Sequence, residues 1–185
     1  MNFTMSISVI IIAYHGDRWI ETCLQSLHLN NNINIHLLLV DNAGNNIIDQ
    51  LDLSAFNSEI IKTPHPMGFA MANNFALLNA THLGDLILFL NQDTISSSNW
   101  ISVCLKSLRK NPNLGAISPA IRTYTDDDWD LSFYNCLTKE QQELFNTGDS
   151  LDDVIYTNCA PAPALIVRTE VLRQIGPFDP IYGSY

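Results

Sequence analysis

Basic residues are scarce in this sequence. Its 185 residues include 9 lysines and arginines against 19 aspartates and glutamates, a formal net charge of −10. Binding along a nucleic-acid backbone needs a basic face that replaces phosphate counterions, and docking on anionic lipid needs the same sign of charge. The composition therefore argues against nucleic-acid partners and against electrostatic docking on a membrane.

Long apolar stretches are also missing. The longest apolar run lies around residues 9–13, far short of the ~20 residues that a membrane-spanning helix needs. The N-terminus shows no signal-peptide pattern. The hydrophobic share is nevertheless 46%, which excludes a disordered chain. We expect one domain over 1–185 with no membrane span, located in the cytoplasm, with the inner face of the membrane as a second option.

Cysteine motifs are absent as well. The four cysteines, Cys23, Cys104, Cys136 and Cys159, form no C-x-x-C pair and join no histidine cluster, so a structural zinc site is not expected. Cys23 and Cys104 fall on predicted apolar helix faces, where cysteine behaves as a small hydrophobe. Reduced thiols in a cytosolic setting fit this pattern.

Patterns typical of buried strands alternate with helical patterns along the chain. The run ISVIIIA at 7–13 is typical of a strand buried on both faces. An apolar stripe at helical spacing follows from Ile20 to Leu27, with Asp17 as its predicted N-cap. Further strands are predicted at 35–40, 58–62, 85–90, 114–118 and 162–167, and further helices at 47–53, 69–81, around 101–108 and at 170–175, with Gly84 near one helix end and Thr169 as a second N-cap. This alternation predicts an α/β fold with a Rossmann-like, mostly parallel sheet covered by helices on both faces.

Polar clusters follow three of the predicted strands. They are 14–17 after the first strand, 41–42 after the second and 91–93 after the fourth. Ligands of open parallel sheets bind outside the carboxyl ends of the strands. These clusters therefore predict one shared site.

Each candidate in that site has a functional and a structural interpretation. The Asp41 carboxylate can accept hydrogen bonds from a nucleotide base or ribose, or it can close an Asx turn. Asn91-Gln92-Asp93 can hold a hard divalent cation from one side while phosphates supply the remaining oxygens, or it can be a polar turn. The stretch 68–74 can bind phosphate at a helix N-terminus, or it can be a tight helix start. Neither the dinucleotide-binding glycine motif nor the P-loop occurs.

Residues 122–156 form an acidic insertion. Within it, residues 126–153 contain nine acidic residues and one lysine. A solvated surface segment is the usual interpretation of such a run. A cation-binding or acceptor-binding surface is the alternative, and no spacing typical of metal ligands supports it.

The chain resembles the family 2 glycosyltransferases with the GT-A fold, in the rhamnosyltransferase-like branch that builds surface polysaccharide. Five segments carry the resemblance in the family's order: SVIIIAYH at 8–15, LLLVDNAGNN at 37–46, GFAMANN at 68–74, DLILFLNQDT at 85–94 and ALIVRTEVLRQIGPFDPIYGSY at 164–185. The resemblance implies inverting transfer of a sugar from a nucleoside-diphosphate donor, dTDP-rhamnose or a UDP-sugar, to a glycan or lipid-linked acceptor.

The resemblance also implies roles for particular residues. Nucleotide-sugar binding is expected of Ala13, Tyr14, Asp41, Gly68, Asn73, Asn91, Gln92 and Asp93. Asp93 matches the family's metal-binding aspartate, which contacts Mg²⁺ or Mn²⁺ on the diphosphate. Because Asn91 replaces the first aspartate of the D-x-D form, Asp93 is the main candidate for the metal ligand.

The catalytic base of the family follows an F-D-x-x-[FY]-x-x-Y stretch. Here that stretch runs from Phe178 to Tyr185, the last residue of the sequence. We therefore expect the base beyond Tyr185, and we expect the 185-residue chain to be inactive, either as a truncated enzyme or as a degenerate one. A non-catalytic nucleotide-sugar-binding module and a nucleotidyltransferase are the alternatives, although the first loop lacks the glycine- and lysine-rich pattern that nucleotidyltransferases usually need.

Overall fold

A six-stranded sheet forms the centre of the protein. The computed structural model describes residues 5–30, 32–42, 44, 47–147, 154–157 and 159–182, so part of the acidic insertion and residues 183–185 lie outside the described residues. The strands are β1 (Ile7–Ala13), β2 (Ile35–Asp41), β3 (Asn57–Lys62), β4 (Leu86–Leu90), β5 (Ala116–Ile117) and β6 (Ala164–Arg168). The helices are α1 (Ile20–His28), α2 (Phe69–Asn79), α3 (Trp100–Lys110), α4 (Leu131–Tyr134), α5 (Lys139–Thr147) and α6 (Thr169–Ile175), with single 3₁₀ turns at Ile48–Gln50 and Pro180–Tyr182.

The strand order confirms the predicted mostly parallel sheet. The order is β3-β2-β1-β4-β6-β5. β1 to β4 are parallel to one another, whereas β6 is antiparallel to both β4 and β5. The carboxyl ends of β1 to β5 therefore share one edge with the amino end of β6. We call this the carboxyl edge.

Apolar side chains on the two faces of the sheet form two separate cores. One face packs on α1 and α3, through residues such as Ile11, Leu27 and Leu105. The other face packs on α2 and α6, through residues such as Ile10 and Phe89. Helices thus cover both faces, as the sequence predicts. No helix among the described residues is long and apolar enough to cross a membrane.

Two predicted helix caps are wrong. α1 begins at Ile20 with Trp19, not Asp17, in the N-cap position and with no side-chain cap from Trp19. The backbone N–H groups of Trp19 and Ile20 both donate to the Gly16 carbonyl. Thr169 is the first residue of α6, and its hydroxyl donates to the carbonyl of Gly84 at 2.6 Å. A tertiary partner therefore takes the hydroxyl that the sequence assigned to a cap.

Two other predictions, on Gly84 and on the helix at 47–53, also differ from the structure. Gly84 does not cap α2, which ends at Asn79. A Cβ at Gly84 would lie 2.8 Å from the Ser6 carbonyl oxygen, so this glycine permits a close approach to the chain entering β1. The predicted helix at 47–53 shrinks to the single turn Ile48–Gln50.

The acidic insertion contains a small aromatic cluster, and a disulfide bond joins it to the segment that follows. The rings of Trp129, Phe133 and Phe145 lie 5.1–5.6 Å apart, and they join α4 to α5. Cys136 is bonded to Cys159, with 5.4 Å between their Cα atoms. The expectation of four reduced thiols is therefore wrong for this pair, whereas Cys23 and Cys104 are free and buried.

Candidate functional site

A cleft of about 470 Å³ lies at the carboxyl edge, between the ends of β1 and β4 and the start of α2. We call it the edge cleft. Six of the eight predicted site residues line it: Tyr14, Gly68, Asn73, Asn91, Gln92 and Asp93. The structure thus brings together residues that are up to 79 positions apart in the sequence.

The loop that carries Asp93 is anchored at several points. The Asn91 backbone N–H donates to the Pro163 carbonyl at 2.9 Å, and the Thr94 hydroxyl donates to the Asn91 carbonyl at 2.8 Å. Farther along, the backbone N–H of Ser96 donates to the Ser26 hydroxyl on α1 at 3.0 Å. These bonds fix the loop between β6 and α1.

The Asp93 carboxylate points to solvent from this fixed loop. It is exposed and makes no hydrogen bond or ion pair with the described residues. No group of three or more histidine, cysteine, aspartate or glutamate side chains is placed to hold a metal within the part of the chain that the structure describes. Mg²⁺ is usually bound through one or two carboxylates together with substrate phosphates. One free carboxylate beside the Asn91 amide fits that donor set.

The Gln92 side chain holds the backbone of Tyr14 at the edge cleft. Its side-chain Oε1 accepts a hydrogen bond from the Tyr14 N–H at 3.0 Å, and its Nε2 donates to the Tyr14 carbonyl at 2.7 Å. A Cβ on Gly16 would lie 1.9 Å from Oε1 of Gln92, so a side chain at that position would displace the Gln92 amide. The next residue after Tyr14, His15, has a φ of 48°, a conformation that is uncommon outside glycine and concentrates at functional sites.

Asn42 holds the backbone of the loop before α2 through its side-chain amide, as Gln92 holds Tyr14. Its Oδ1 accepts from the Met67 N–H at 2.9 Å, and its Nδ2 donates to the Met67 carbonyl at 2.8 Å. The Thr63 hydroxyl also donates to Oδ1, at 3.2 Å. Asn42 is buried and lines the edge cleft. Its position in the polar cluster after β2 is evident from the sequence, whereas this role in holding Met67 is not.

A third side-chain amide holds the segment after α6. Asn74 on α2 donates to the Phe178 carbonyl at 2.7 Å and accepts from the Phe178 N–H at 3.0 Å. The Phe178 ring packs on Phe69 and Phe89, at centroid distances of 5.5 Å and 4.8 Å. The segment after α6 is thereby fixed against the helix that borders the edge cleft.

Ala13 and Asp41 lie behind the edge cleft rather than in its lining. Ala13 is buried, and its carbonyl accepts from the Asn42 N–H at 3.0 Å. Asp41 is 5% exposed, its Oδ1 accepts from the Gly44 N–H at 2.8 Å, and its Oδ2 is 4.0 Å from Lys62 Nζ. The hydrogen bond from Gly44 shows that the Asp41 carboxylate closes a turn, which is the structural one of its two interpretations.

Gly68 and Asn73 lie at the start of α2. Gly68 is the N-cap and has no side chain to satisfy the first backbone N–H groups of the helix. Asn73 is 1% exposed, and its Nδ2 donates to the Phe69 carbonyl at 2.9 Å. Gly68 and Phe69 line the edge cleft, so the start of the helix lies beside it, and the free N–H groups of a first turn favour an anion.

The buried thiol of Cys23 contacts the Asp93 loop from α1. Its Sγ lies 3.6 Å from the Asn91 carbonyl and 3.6 Å from the Thr94 hydroxyl. Burial raises the pKa of this thiol to about 11. The neutral thiol is therefore a packing group and a weak donor, not a nucleophile.

The model of the family described as glycosyl transferase family 2 matches residues 8–176. The chain belongs to glycosyl transferase family 2. The match covers all six strands of the sheet and the edge cleft. This confirms the family resemblance; it does not distinguish the rhamnosyltransferase-like branch.

Solved structures with the same fold include three glycosyltransferases. The mannosyltransferase PcManGT from Pyrobaculum calidifontis, in complex with GDP-Man and Mn²⁺, is 18% identical at a TM-score of 0.71 and matches 96% of this chain and 48% of its own length. S. aureus TarS 1-349 with UDP-GlcNAc is 16% identical at 0.66, with 92% and 47% matched. GalNAc-T7 with UDP, GalNAc and Mn²⁺ is 14% identical at 0.69, with 95% and 37% matched.

These similarities confirm the GT-A fold of this family 2 glycosyl transferase. The chain spans about half the length of the first two structures, and less of the third. No curated protein sequence matches it significantly.

Proposed function

We propose that this chain is the donor-binding part of an inverting glycosyltransferase. It transfers a sugar from a nucleoside-diphosphate donor to a glycan or lipid-linked acceptor in surface polysaccharide synthesis. The observation that supports the proposal is the convergence of Tyr14, Gly68, Asn73 and the 91–93 loop on one cleft. The donor is dTDP-rhamnose or a UDP-sugar. The GDP-Man and UDP-GlcNAc named for the similar structures belong to the same chemical class.

Each part of the edge cleft suits one part of such a donor. The first-turn N–H groups of α2 favour phosphate oxygens. Both backbone polar groups of Tyr14 are held by Gln92, so its exposed ring is the part left to stack on a nucleotide base. Asn73 uses Nδ2 within the helix, which leaves Oδ1 to accept from a hydroxyl of the ligand.

Asp93 and Asn91 would hold a divalent cation, Mg²⁺ or Mn²⁺. The PcManGT and GalNAc-T7 structures contain Mn²⁺, and the free carboxylate of Asp93 fits such an ion. When bound, the ion supplies charge stabilisation to the departing diphosphate. The protein's contribution is to fix the carboxylate on an anchored loop, so that little reorganisation is needed when charge develops.

A second candidate function is donor binding without transfer by the 185-residue chain itself. Deprotonation of the acceptor hydroxyl by a positioned base typically contributes ~10²–10⁴-fold. Asp41 is buried and bonded to Gly44, and Asp179 accepts from the Ile181 N–H at 3.0 Å in a turn. Asp93 is proposed as the metal ligand. These three carboxylates are therefore poor candidates for the base, which favours the binding function for this chain.

A cytoplasmic location, including the inner face of the membrane, remains part of the proposal. The Cys136–Cys159 bond counts against it, because disulfide bonds persist mainly in oxidising compartments. Mass spectrometry of alkylated protein purified under thiol-blocking conditions tests the point. Free Cys136 and Cys159 would agree with a cytoplasmic location.

Calorimetric titration tests the donor site. We expect UDP or dTDP to bind at least tenfold more tightly in Mn²⁺ than in EDTA, and we expect Asp93→Asn to remove most of that difference. Glu143→Gln, in the exposed part of the insertion, is the matched charge control and should behave as wild type. Equal affinity of the wild-type chain in Mn²⁺ and EDTA would contradict the metal role, and absence of any nucleotide binding would contradict the donor site.

A further inference from the structure

The segment that follows α6 turns back over the sheet directly after the helix. α6 ends at Ile175, and Gly176 has a φ of 89°, a conformation that glycine adopts at little steric cost. Two residues later, the Phe178 side chain packs on the core that α2 and α6 cover. Phe178 thus lies on the same face of the sheet as the helix that borders the edge cleft.

The Phe178 ring contacts one aromatic ring from each of two elements that end at the edge cleft. Its centroid lies 5.5 Å from that of Phe69, the first residue of α2, and 4.8 Å from that of Phe89 in β4. Both contacts are edge-to-face, the arrangement that aromatic pairs prefer. Phe69 lines the edge cleft, and Phe89 is followed directly by Leu90 and Asn91, which also line it. Phe178 therefore lies between two walls of the cleft.

The strand order separates these two walls. α2 packs over β1 and β2, whereas β4 lies on the other side of β1. A ring between the start of α2 and the end of β4 fills the space that this arrangement leaves. Because protein interiors are close-packed, the walls would shift towards each other if the ring were removed. The Phe178 ring therefore fixes the separation of the two walls.

The backbone of Phe178 is itself anchored to α2. Asn74 donates to the Phe178 carbonyl at 2.7 Å and accepts from its N–H at 3.0 Å. Asn74 directly follows Asn73, which lines the edge cleft. The position of the ring relative to α2 is thus determined by two hydrogen bonds in addition to the contact with Phe69.

We infer that Phe178 is a positioning residue for the donor diphosphate. This rests on the proposed function, in which the start of α2 binds phosphate oxygens and Asp93 holds the cation on the same diphosphate. Such a bridged ligand needs both groups at a set distance, since binding groups must be held within about 0.5 Å of the productive geometry. The Phe178 ring maintains that distance from the side of the sheet that α2 covers.

Calorimetric titration of Phe178→Ala with UDP tests this inference. In Mn²⁺ we expect the variant to bind UDP about tenfold more weakly than wild type, because the two walls no longer match the bridged diphosphate. In EDTA the diphosphate contacts α2 without a bridge to Asp93, so the affinity should change by less than about twofold. Phe178→Leu keeps a large apolar side chain and should recover most of the affinity in Mn²⁺.

Leu172→Ala is the matched control for lost packing. Leu172 is half-buried against the same core and lies outside the lining of the edge cleft. It should bind UDP as wild type in both buffers, and thermal unfolding verifies that each variant is folded. Wild-type affinity of Phe178→Ala in Mn²⁺, or equal losses in Phe178→Ala and Leu172→Ala, would overturn the inference.

Asn74→Leu should reproduce the effect of Phe178→Ala, because it releases both backbone groups that hold the ring in place. The double variant should bind UDP in Mn²⁺ no more weakly than the worse single variant. Asn79→Leu, on the same helix, is the control, since its amide donates only to the Phe75 carbonyl of that helix. Additive losses would contradict a shared role of Asn74 and Phe178.

Amide hydrogen exchange without nucleotide separates this inference from the proposed function. Phe178→Ala should accelerate exchange about tenfold in residues 68–74 and 90–94, the two walls of the cleft, and Leu172→Ala should not. Acceleration in a protein that binds no UDP would support the positioning of the walls and contradict the donor site. UDP binding with its Mn²⁺ dependence intact in Phe178→Ala, and without acceleration, would support the donor site and contradict the inference.

Discussion

Gln92 and Tyr14 are joined as two neighbouring β-strand residues would be, although one partner is a side chain. The Gln92 amide accepts from the Tyr14 N–H at 3.0 Å and donates to the Tyr14 carbonyl at 2.7 Å. This pair links the loop after β1 to the loop after β4. It makes Gln92 a positioning residue for the edge cleft, and it explains why Gly16 has no room for a side chain.

Breaking this pair from either side should have the same effect on nucleotide binding. Gln92→Met removes both hydrogen bonds, and Gly16→Ala forces the amide away by contact with the new Cβ. We expect each to weaken nucleotide binding about tenfold in calorimetry, since each frees the loop that carries Tyr14.

The double variant distinguishes a shared cause from two separate ones. Because both substitutions break the same pair, Gly16→Ala with Gln92→Met should bind no more weakly than the worse single variant. Cleavage by trypsin at the exposed Arg18 should accelerate equally in all three. Additive losses of affinity would show that Gly16 acts independently of Gln92.

Asn42→Leu should destabilise the fold and loosen the loop before α2. The substitution keeps the side-chain size but removes three hydrogen bonds, and it leaves the N–H and carbonyl of Met67 without their partner. The free energy of unfolding should fall by about 2–4 kcal/mol. Denaturant unfolding measures it. Asn79→Leu is the control, because Asn79 is exposed and its amide donates only to the Phe75 carbonyl of its own helix. It should change stability by less than about 0.5 kcal/mol.

The sheet was predictable because its strands are encoded locally, whereas the contacts around the edge cleft were not. ISVIIIA specifies β1 within its own seven residues, and the observed bounds Ile7–Ala13 agree with it. Asn74 and Phe178 are 104 residues apart, and no local pattern indicates that an amide will meet a particular backbone. Thr169 shows the same limit, since its hydroxyl donates to the distant Gly84 carbonyl instead of capping the helix.

The disulfide bond illustrates a different limit. Cys136 lies in the acidic insertion and Cys159 follows it, in segments with little apolar periodicity, so nothing in the sequence places the two cysteines side by side. The buried cysteines were predictable because Cys23 and Cys104 share helical spacing with neighbouring leucines and isoleucines. Periodicity therefore reports burial, but not pairing.

Alkaline pH should destabilise the protein through Cys23. Burial raises the pKa of its thiol from 9.0 to about 11, so the folded state holds its proton more tightly than the unfolded state. Its contribution is fully present below pH 9 and is lost as the pH rises to 11, amounting to about 2–3 kcal/mol at most.

The change of unfolding free energy with pH, compared between wild type and Cys23→Ala, isolates this contribution. The variant should lose less stability than wild type between pH 9 and pH 11. Tyrosine and lysine titrations are common to both proteins and cancel in the difference. Identical slopes would contradict the burial of this thiol.

Replacing residues 126–150 with a short glycine-serine linker should leave the sheet folded. Trp129, Phe133 and Phe145 pack mainly on one another, and none of them belongs to the two cores that cover the sheet. We expect cooperative thermal unfolding and unchanged nucleotide affinity. The replacement also removes Cys136, so the disulfide bond to Cys159 is lost. Loss of the folded state would show that the aromatic cluster is part of the core.

The position of β6 determines when the sheet can form during synthesis. β6 lies between β4 and β5, yet it comes after both of them in the sequence, beyond the whole acidic insertion. Until β6 leaves the ribosome, the outer edge of β4 is unpaired and β5 has no partner in the sheet. The nascent protein therefore presents an open strand edge for the time that the insertion takes to be translated, a state in which such edges pair with other chains.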